Sequence, residues 1–178
     1  MSSEERIVAR ERRWQGKIFS VETLDVALPD GSSAYREIVR HTGGAAAAAV
    51  RDGRICLVKQ YRVALGRETL ELPAGKIEAG ETGESCAARE LKEEAGIIAE
   101  SLVRIAYAHG SPGFTDEHTE IFLARGLTDD VPDPDEGELI DAVWLPVDEA
   151  LAMVRCGEIT DAKTIIALFA VAGDCVKG

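Results

Sequence analysis

The sequence predicts an α/β fold: an α/β/α sandwich around a mixed β-sheet, entered through an N-terminal antiparallel strand pair. Three observations carry this. Short alternating or apolar runs bounded by Gly, Pro and Asp mark strands on both sides of one amphipathic helical stretch near residue 90. Two further helical stretches close the chain, so the order is strands, helix, strands, two helices. The 178 residues, 46% of them hydrophobic, suit one globular domain, residues 1–178, with a substantial core and no low-complexity linker.

Residues 18–28 alternate as a strand, Pro29-Asp30-Gly31 is a turn, and 34–41 returns as a second strand. This pair, about residues 14–42, carries the alternation of a sheet that a second copy of the chain can extend. The run Ala45 to Val50 has helical propensity but is short and bracketed by Gly43-Gly44 and Asp52-Gly53. It reads as a buried strand, paired through the Asp-Gly turn with Ile55 to Gln60. Further strands cover 102–109, 118–125 and 142–145. A helix runs from Pro146 to about Arg155, and Thr160 or Asp161 caps a last helix ending near Ala172.

A formal net charge of −12 and a pI near 4.7 argue against nucleic acid or an anionic membrane surface as the main partner. No window of about 18 residues is apolar throughout, as a membrane span requires. The start, MSSEERIVARERRW, is charged and lacks the apolar core of a secretion signal, and the expected compartment is the cytoplasm. Cys56, Cys86, Cys156 and Cys175 lack metal-type spacing and read as free thiols of a reducing compartment.

The helical stretch holds the chemistry. Thr82 is its N-cap candidate and Gly96 its C-terminal glycine. Glu90, Glu93 and Glu94 fall on one helical face, where they repel one another unless a positive charge sits among them. Such a face is either a solvated acidic surface or a seat for a hard divalent cation such as Mg²⁺. Ala88, Leu91 and Ala95 lie opposite, small enough for packing on a sheet. Arg89 is placed to pair with Glu81 or Glu93.

Gly75 to Ile97 reads GKIEAGETGESCAARELKEEAGI and fits Gly-x5-Glu-x7-Arg-Glu-U-x-Glu-Glu-x-Gly-U, with U aliphatic, at each specified position. This is the Nudix box, and the chain resembles the Nudix hydrolases. The resemblance implies the Nudix α/β/α fold, hydrolysis of a nucleoside diphosphate linked to another group, and Mg²⁺ or Mn²⁺ as cofactor. It implies metal ligation by Glu90, Glu93 and Glu94 and by the carbonyl of Ala74, and places Arg89 and Glu93 among the residues that support catalysis.

A second resemblance narrows the substrate. Pro112 follows Gly96 by 16 residues, within Ser111-Pro112-Gly113-Phe114-Thr115-Asp116-Glu117. With Lys59-Gln60-Tyr61-Arg62, Glu71-Leu72-Pro73-Ala74-Gly75-Lys76 and Asp161-Ala162-Lys163-Thr164, it is similar to the ADP-ribose pyrophosphatase subgroup. That implies hydrolysis of ADP-ribose to AMP and ribose 5-phosphate by a homodimer. Glu117 with the Pro112-Gly113 turn would then meet the terminal ribose, Arg62 the diphosphate and Arg36, from the neighbouring subunit of the dimer, the adenine. By the same resemblance Glu136 is the general base and Glu138 an extra metal ligand; a slip of one residue in this loop would reassign both. Trp14, Phe19 and Tyr35 serve either the base site or packing. Other nucleoside diphosphate derivatives and a non-catalytic ADP-ribose sensor stay open as alternatives.

Overall fold

The computed structural model describes residues 3–134, 137 and 139–173. The chain divides into two compact units, Met1–Gly43 with His109–His118, and Gly44–Ala108 with Thr119–Gly178.

The smaller unit is an antiparallel sheet in the order β1-β2-β3: β1 Arg6–Gln15, β2 Phe19–Ala27 and β3 Ser33–His41. β2 and β3 are the strand pair expected from the alternation, in register from Phe19↔His41 to Ala27↔Ser33. Their turn closes through the Leu28 amide on the Ser32 carbonyl (2.8 Å), with Asp30 accepting from the Ser32 amide (2.9 Å). β1 adds a third strand that the sequence hid. Every one of its residues is exposed, and Arg6, Arg10, Glu11, Arg12 and Arg13 leave no apolar face to detect. The Ser111–Glu117 loop runs beside β3: Val39 donates to the Phe114 carbonyl (2.8 Å), and the Asp116 carboxylate accepts from Arg40 (3.0 Å) and the His41 amide (2.9 Å).

The larger unit holds β4 Gly44–Arg51, β5 Arg54–Arg62, β6 Arg67–Glu71, β7 Ala74–Lys76, β8 Ile97–His109, β9 His118–Asp129 and β10 Ile140–Pro146. Its helices are α1 Gly83–Ala95, α2 Val147–Cys156 and α3 Ala162–Ala172. The sheet runs β10-β5-β4-β9-β8, with β6 beside β5 and β7 beside β4. The β4–β9 pair is parallel, whereas β10–β5, β4–β5, β5–β6 and β4–β7 are antiparallel, so the sheet is mixed.

β4 explains how a run of alanines becomes a strand. Ala45, Ala46, Ala47, Ala48 and Ala49 are all fully buried, so both faces of the strand are covered. Ala46 and Ala48 pack with Ile55, Leu57 and Ile121 against Ala150 and Leu151 of α2 and Ala167 and Leu168 of α3. Ala45, Ala47 and Ala49 face the other way, against Cys86, Ala87 and Leu91 of α1. Small side chains on the central strand let helices approach both faces, which is the sandwich.

Cys56 and Cys86 are buried free thiols, and burial pushes both up to about 12, so neither is a thiolate at neutral pH. Cys156 is a free exposed thiol, and Cys175 lies outside the described residues. Among the described residues, no helix is long and apolar enough to cross a membrane.

Candidate active site

α1 is capped at both ends by the residues that the sequence marked. The Thr82 hydroxyl accepts from the Ser85 amide (3.1 Å) and the Ser85 hydroxyl accepts from the Thr82 amide (3.0 Å), a reciprocal box. Gly96 ends the helix at φ 61°, a left-handed conformation that glycine adopts without steric cost.

β7 brings a short backbone segment against this helix. Its pairing with β4 (Ala46↔Ala74, Ala45↔Gly75) places Ala74 where its amide donates to Glu94 Oε2 at 2.9 Å. Glu94 is only 6% exposed, so a carboxylate that would be costly to bury alone is hydrogen-bonded in place. At Gly75 the fit is tighter still. A Cβ there would stand inside the Glu90 carboxylate, well under the 3.0 Å that real Cβ contacts keep. The missing side chain is the space that Glu90 fills.

Arg89 holds the remaining carboxylates together. Its Nε and Nη2 donate to the two oxygens of Glu81 (3.0 and 3.1 Å), while Nη1 donates to Glu90 (2.7 Å) and Glu93 (3.0 Å). Both partners named from its spacing, Glu81 and Glu93, are present, and Glu90 joins them. The Glu81 hydrogen bonds, followed by those of Glu90 and Glu93, outweigh desolvation and raise Arg89 above its ordinary value. The same pairing lowers Glu81. Arg89 therefore relieves the repulsion along a face bearing acidic groups at positions 90, 93 and 94.

Among the described residues, no three His, Cys, Asp or Glu side chains stand together at metal-ligating distance in the conformation seen. The carboxylates are turned onto Arg89 and the Ala74 amide instead. The donor set nonetheless suits a hard divalent ion: carboxylate oxygens on one helical face, beside a glycine-lined cradle that a Cβ would fill.

The loop after β9 starts at the end of α1. Asp130 donates to the Gly96 carbonyl (2.7 Å) and the Asp133 amide to the Glu93 carbonyl (2.9 Å). Glu136 and Glu138 lie outside the described residues.

A second cluster in the same unit was not read from the sequence. Arg62 donates through Nε and Nη2 to the two oxygens of Glu71, both at 2.8 Å. Glu71, buried at the end of β6, also accepts from Thr69 (2.6 Å) and from Lys163 of α3 (2.5 Å). Burial, the largest single influence, pushes the Glu71 carboxyl up, but Arg62 and Lys163 together overcome it and hold the group well below the carboxylate range. Arg62 is raised by its Glu71 hydrogen bonds, and the charge of Glu94 acts on it as well, so it lies within electrostatic reach of the box helix. Glu71 and Lys163 stand in separate sequence motifs, and a separation of 92 residues conceals their pairing.

In the smaller unit, Arg36 pairs with Glu5 (3.1 and 2.6 Å) and lines a cleft of about 490 Å³ with Tyr35, Val39, Gly113 and Phe114. The Pro112-Gly113 turn closes through Phe114 and Thr115 amides on the Ser111 carbonyl, both at 3.1 Å. The Glu117 amide is fixed on the Thr115 hydroxyl (3.0 Å). Trp14 and Phe19 pack on each other with ring centres 5.0 Å apart and planes tilted by 45°, while Tyr35 and Phe114 are aromatics at the cleft.

Comparison with known proteins agrees with the box. Residues 40–168 match the family model of the NUDIX domain. The "ADP-ribose pyrophosphatase" of Bacillus subtilis (strain 168) is 42% identical over 170 residues, covering 94% of this chain and 92% of that protein. The "Methanol dehydrogenase activator" of Bacillus methanolicus is 38% identical over 168 residues, 93% and 91% of the two chains. Among solved structures, "Crystal structure of ADP compounds hydrolase" superposes with a TM-score of 0.84 at 25% identity, over 94% of this chain and 92% of the other. Family match, near full-length relatives and shared fold lead to one assignment: this chain belongs to the Nudix hydrolases.

Proposed function

We propose that this Nudix hydrolase cleaves the diphosphate bond of ADP-ribose, giving AMP and ribose 5-phosphate. The observation that carries the reading is the Ser111–Glu117 turn, with Pro112 set 16 residues beyond Gly96, in a chain 42% identical to a protein named ADP-ribose pyrophosphatase. Members of the family use divalent metal ions; Mg²⁺ is the proposed one here, with Mn²⁺ as its substitute. The residues that would hold the ions are Glu90, Glu93, Glu94, the Ala74 carbonyl and Glu138. Such ions neutralise diphosphate charge and make water more acidic.

The protein's own groups supply the rest. Arg89 keeps Glu90 and Glu93 on one side of the helix and so supports catalysis without touching substrate. Arg62 binds the diphosphate, because a planar guanidinium matches paired phosphate oxygens. Glu117 and the Pro112-Gly113 turn meet the terminal ribose, and Arg36, in the cleft with Tyr35, stacks on adenine. Glu136 takes the proton from the attacking water, a role set by position before pKa. The protein acts in the cytoplasm as a homodimer through its N-terminal sheet, whose β1 strand is an exposed edge.

A Glu94→Gln variant tests the site. The amide oxygen can still accept from Ala74, so the fold survives while a charged ligand is lost. Turnover of ADP-ribose should fall by about two orders of magnitude or more. Near-normal turnover in a folded variant would remove Glu94 from the metal site.

A further inference from the structure

Two stretches outside the box, ending β6 and beginning α3, meet at one buried carboxylate. Glu71 has both oxygens occupied: Oε1 accepts from Arg62 Nε (2.8 Å) and Thr69 (2.6 Å), and Oε2 from Arg62 Nη2 (2.8 Å) and Lys163 (2.5 Å). Lys163 is itself tied to Asp161 (3.0 Å), which caps α3 by accepting from the Thr164 amide (3.0 Å). The Thr164 hydroxyl in turn accepts from the Leu72 amide (2.8 Å), so the strand end and the helix start form one rigid frame.

This frame fixes how Arg62 is presented. A guanidinium has two edges that can each make a paired hydrogen bond. Glu71 takes the Nε–Nη2 edge and leaves the Nη1–Nη2 end, on a side chain that is 40% exposed. A lone carboxylate so placed would also cancel the arginine's charge. Lys163, only 14% exposed, draws on the same Glu71 oxygen that Nη2 uses and leaves Arg62 more of its charge for an anion. We propose that Glu71 and Lys163 are positioning residues that hold Arg62 edge-on for the two phosphates of the substrate. The assignment rests on the reading of Arg62 as the diphosphate ligand. A purely structural ion pair would behave differently, because removing one partner of such a pair costs stability and leaves substrate affinity alone.

The test is steady-state AMP release from ADP-ribose with Mg²⁺, using the full chain and the variants Glu71→Gln, Lys163→Ala, Lys163→Arg, Arg62→Ala and Arg62→Ala/Glu71→Gln. Positioning predicts that Glu71→Gln raises KM about tenfold while kcat changes less than about threefold. Lys163→Ala should move KM the same way by a smaller factor, and Lys163→Arg should restore it. In the Arg62→Ala background, Glu71→Gln should add nothing. An unchanged KM in Glu71→Gln, or a KM effect that adds fully to that of Arg62→Ala, overturns the proposal. Should Glu71→Gln fail to fold, Lys163→Ala carries the same comparison, since Glu71 there stays paired with Arg62. If wild type prefers another nucleoside diphosphate, the ADP-ribose reading falls, and the same cycle on that compound still decides the role of Glu71.

Discussion

Replacing Gly75 by alanine perturbs the site by one methyl group. The new Cβ would overlap the Glu90 carboxylate, which must retreat by about 1 Å or more before the contact reaches the 3.0 Å that real structures tolerate. That retreat breaks the 2.7 Å bond from Arg89 to Glu90, while the Glu81 and Glu93 bonds survive. A hydrogen bond between charged groups contributes about 1.5–3 kcal/mol when buried. Here the side chains are 29% and 12% exposed, so a loss of about 1–2 kcal/mol is the better figure. For a chain of this size that lowers Tm by about 2–8 °C. Turnover should suffer more, because a ligand displaced by about 1 Å can cost about a hundredfold in rate. Thermal unfolding followed by circular dichroism and AMP release from ADP-ribose measure the two effects on one preparation. A Gly75→Ala protein with wild-type melting and wild-type turnover would refute the packing of Glu90 on Gly75 as the reason for glycine there.

Arg89→Lys should destabilise by about 1–3 kcal/mol, since an ammonium cannot reproduce the fork that reaches Glu81, Glu90 and Glu93 together; urea unfolding measures it. Thr82→Ala removes the N-cap acceptor and should cost about 1 kcal/mol, read by the same titration, with little change in KM in steady-state AMP release. The Glu71 carboxyl lies below its ordinary value of 4.5, so its stabilisation is complete above that pH and is lost as the pH falls toward the depressed value. Wild type should therefore lose more stability than Glu71→Gln between about pH 5 and pH 3, as followed by thermal melts across that range. Chelation of divalent ions should abolish AMP release, and adding back Mg²⁺ should restore it.

Local signals made α1 and its surroundings legible. Thr82 and Gly96 bracket the helix, and capping depends on residues a few positions apart. The Ala45 to Val50 run was read as a strand from its bracketing turns, although propensity alone points the other way. β6 and β7 were missed because five and three residues, separated by Leu72 and Pro73, are too short to show a period. β1 is hidden for a different reason: Ile7, Val8 and Ala9 are consecutive and a charged run follows, so the strand shows no alternation and no apolar face. In the site, the carboxylates of the box were named from their spacing. The close approach of Glu90 to Gly75 and the Arg62–Glu71–Lys163 frame were not, because both arise where distant segments of the sheet and helices meet. Glu136 and Glu138 were assigned by motif alignment alone.

The most direct test of ADP-ribose hydrolysis is a product assay on the purified protein with Mg²⁺. ADP-ribose, ADP-glucose, GDP-mannose, NADH, diadenosine polyphosphates and 8-oxo-dGTP would be offered separately and the products resolved by chromatography. Rapid release of AMP and ribose 5-phosphate from ADP-ribose, with slow turnover of the others, is the predicted result. Faster turnover of another compound would contradict the substrate assignment while leaving the Nudix chemistry in place, and no turnover of any would contradict both.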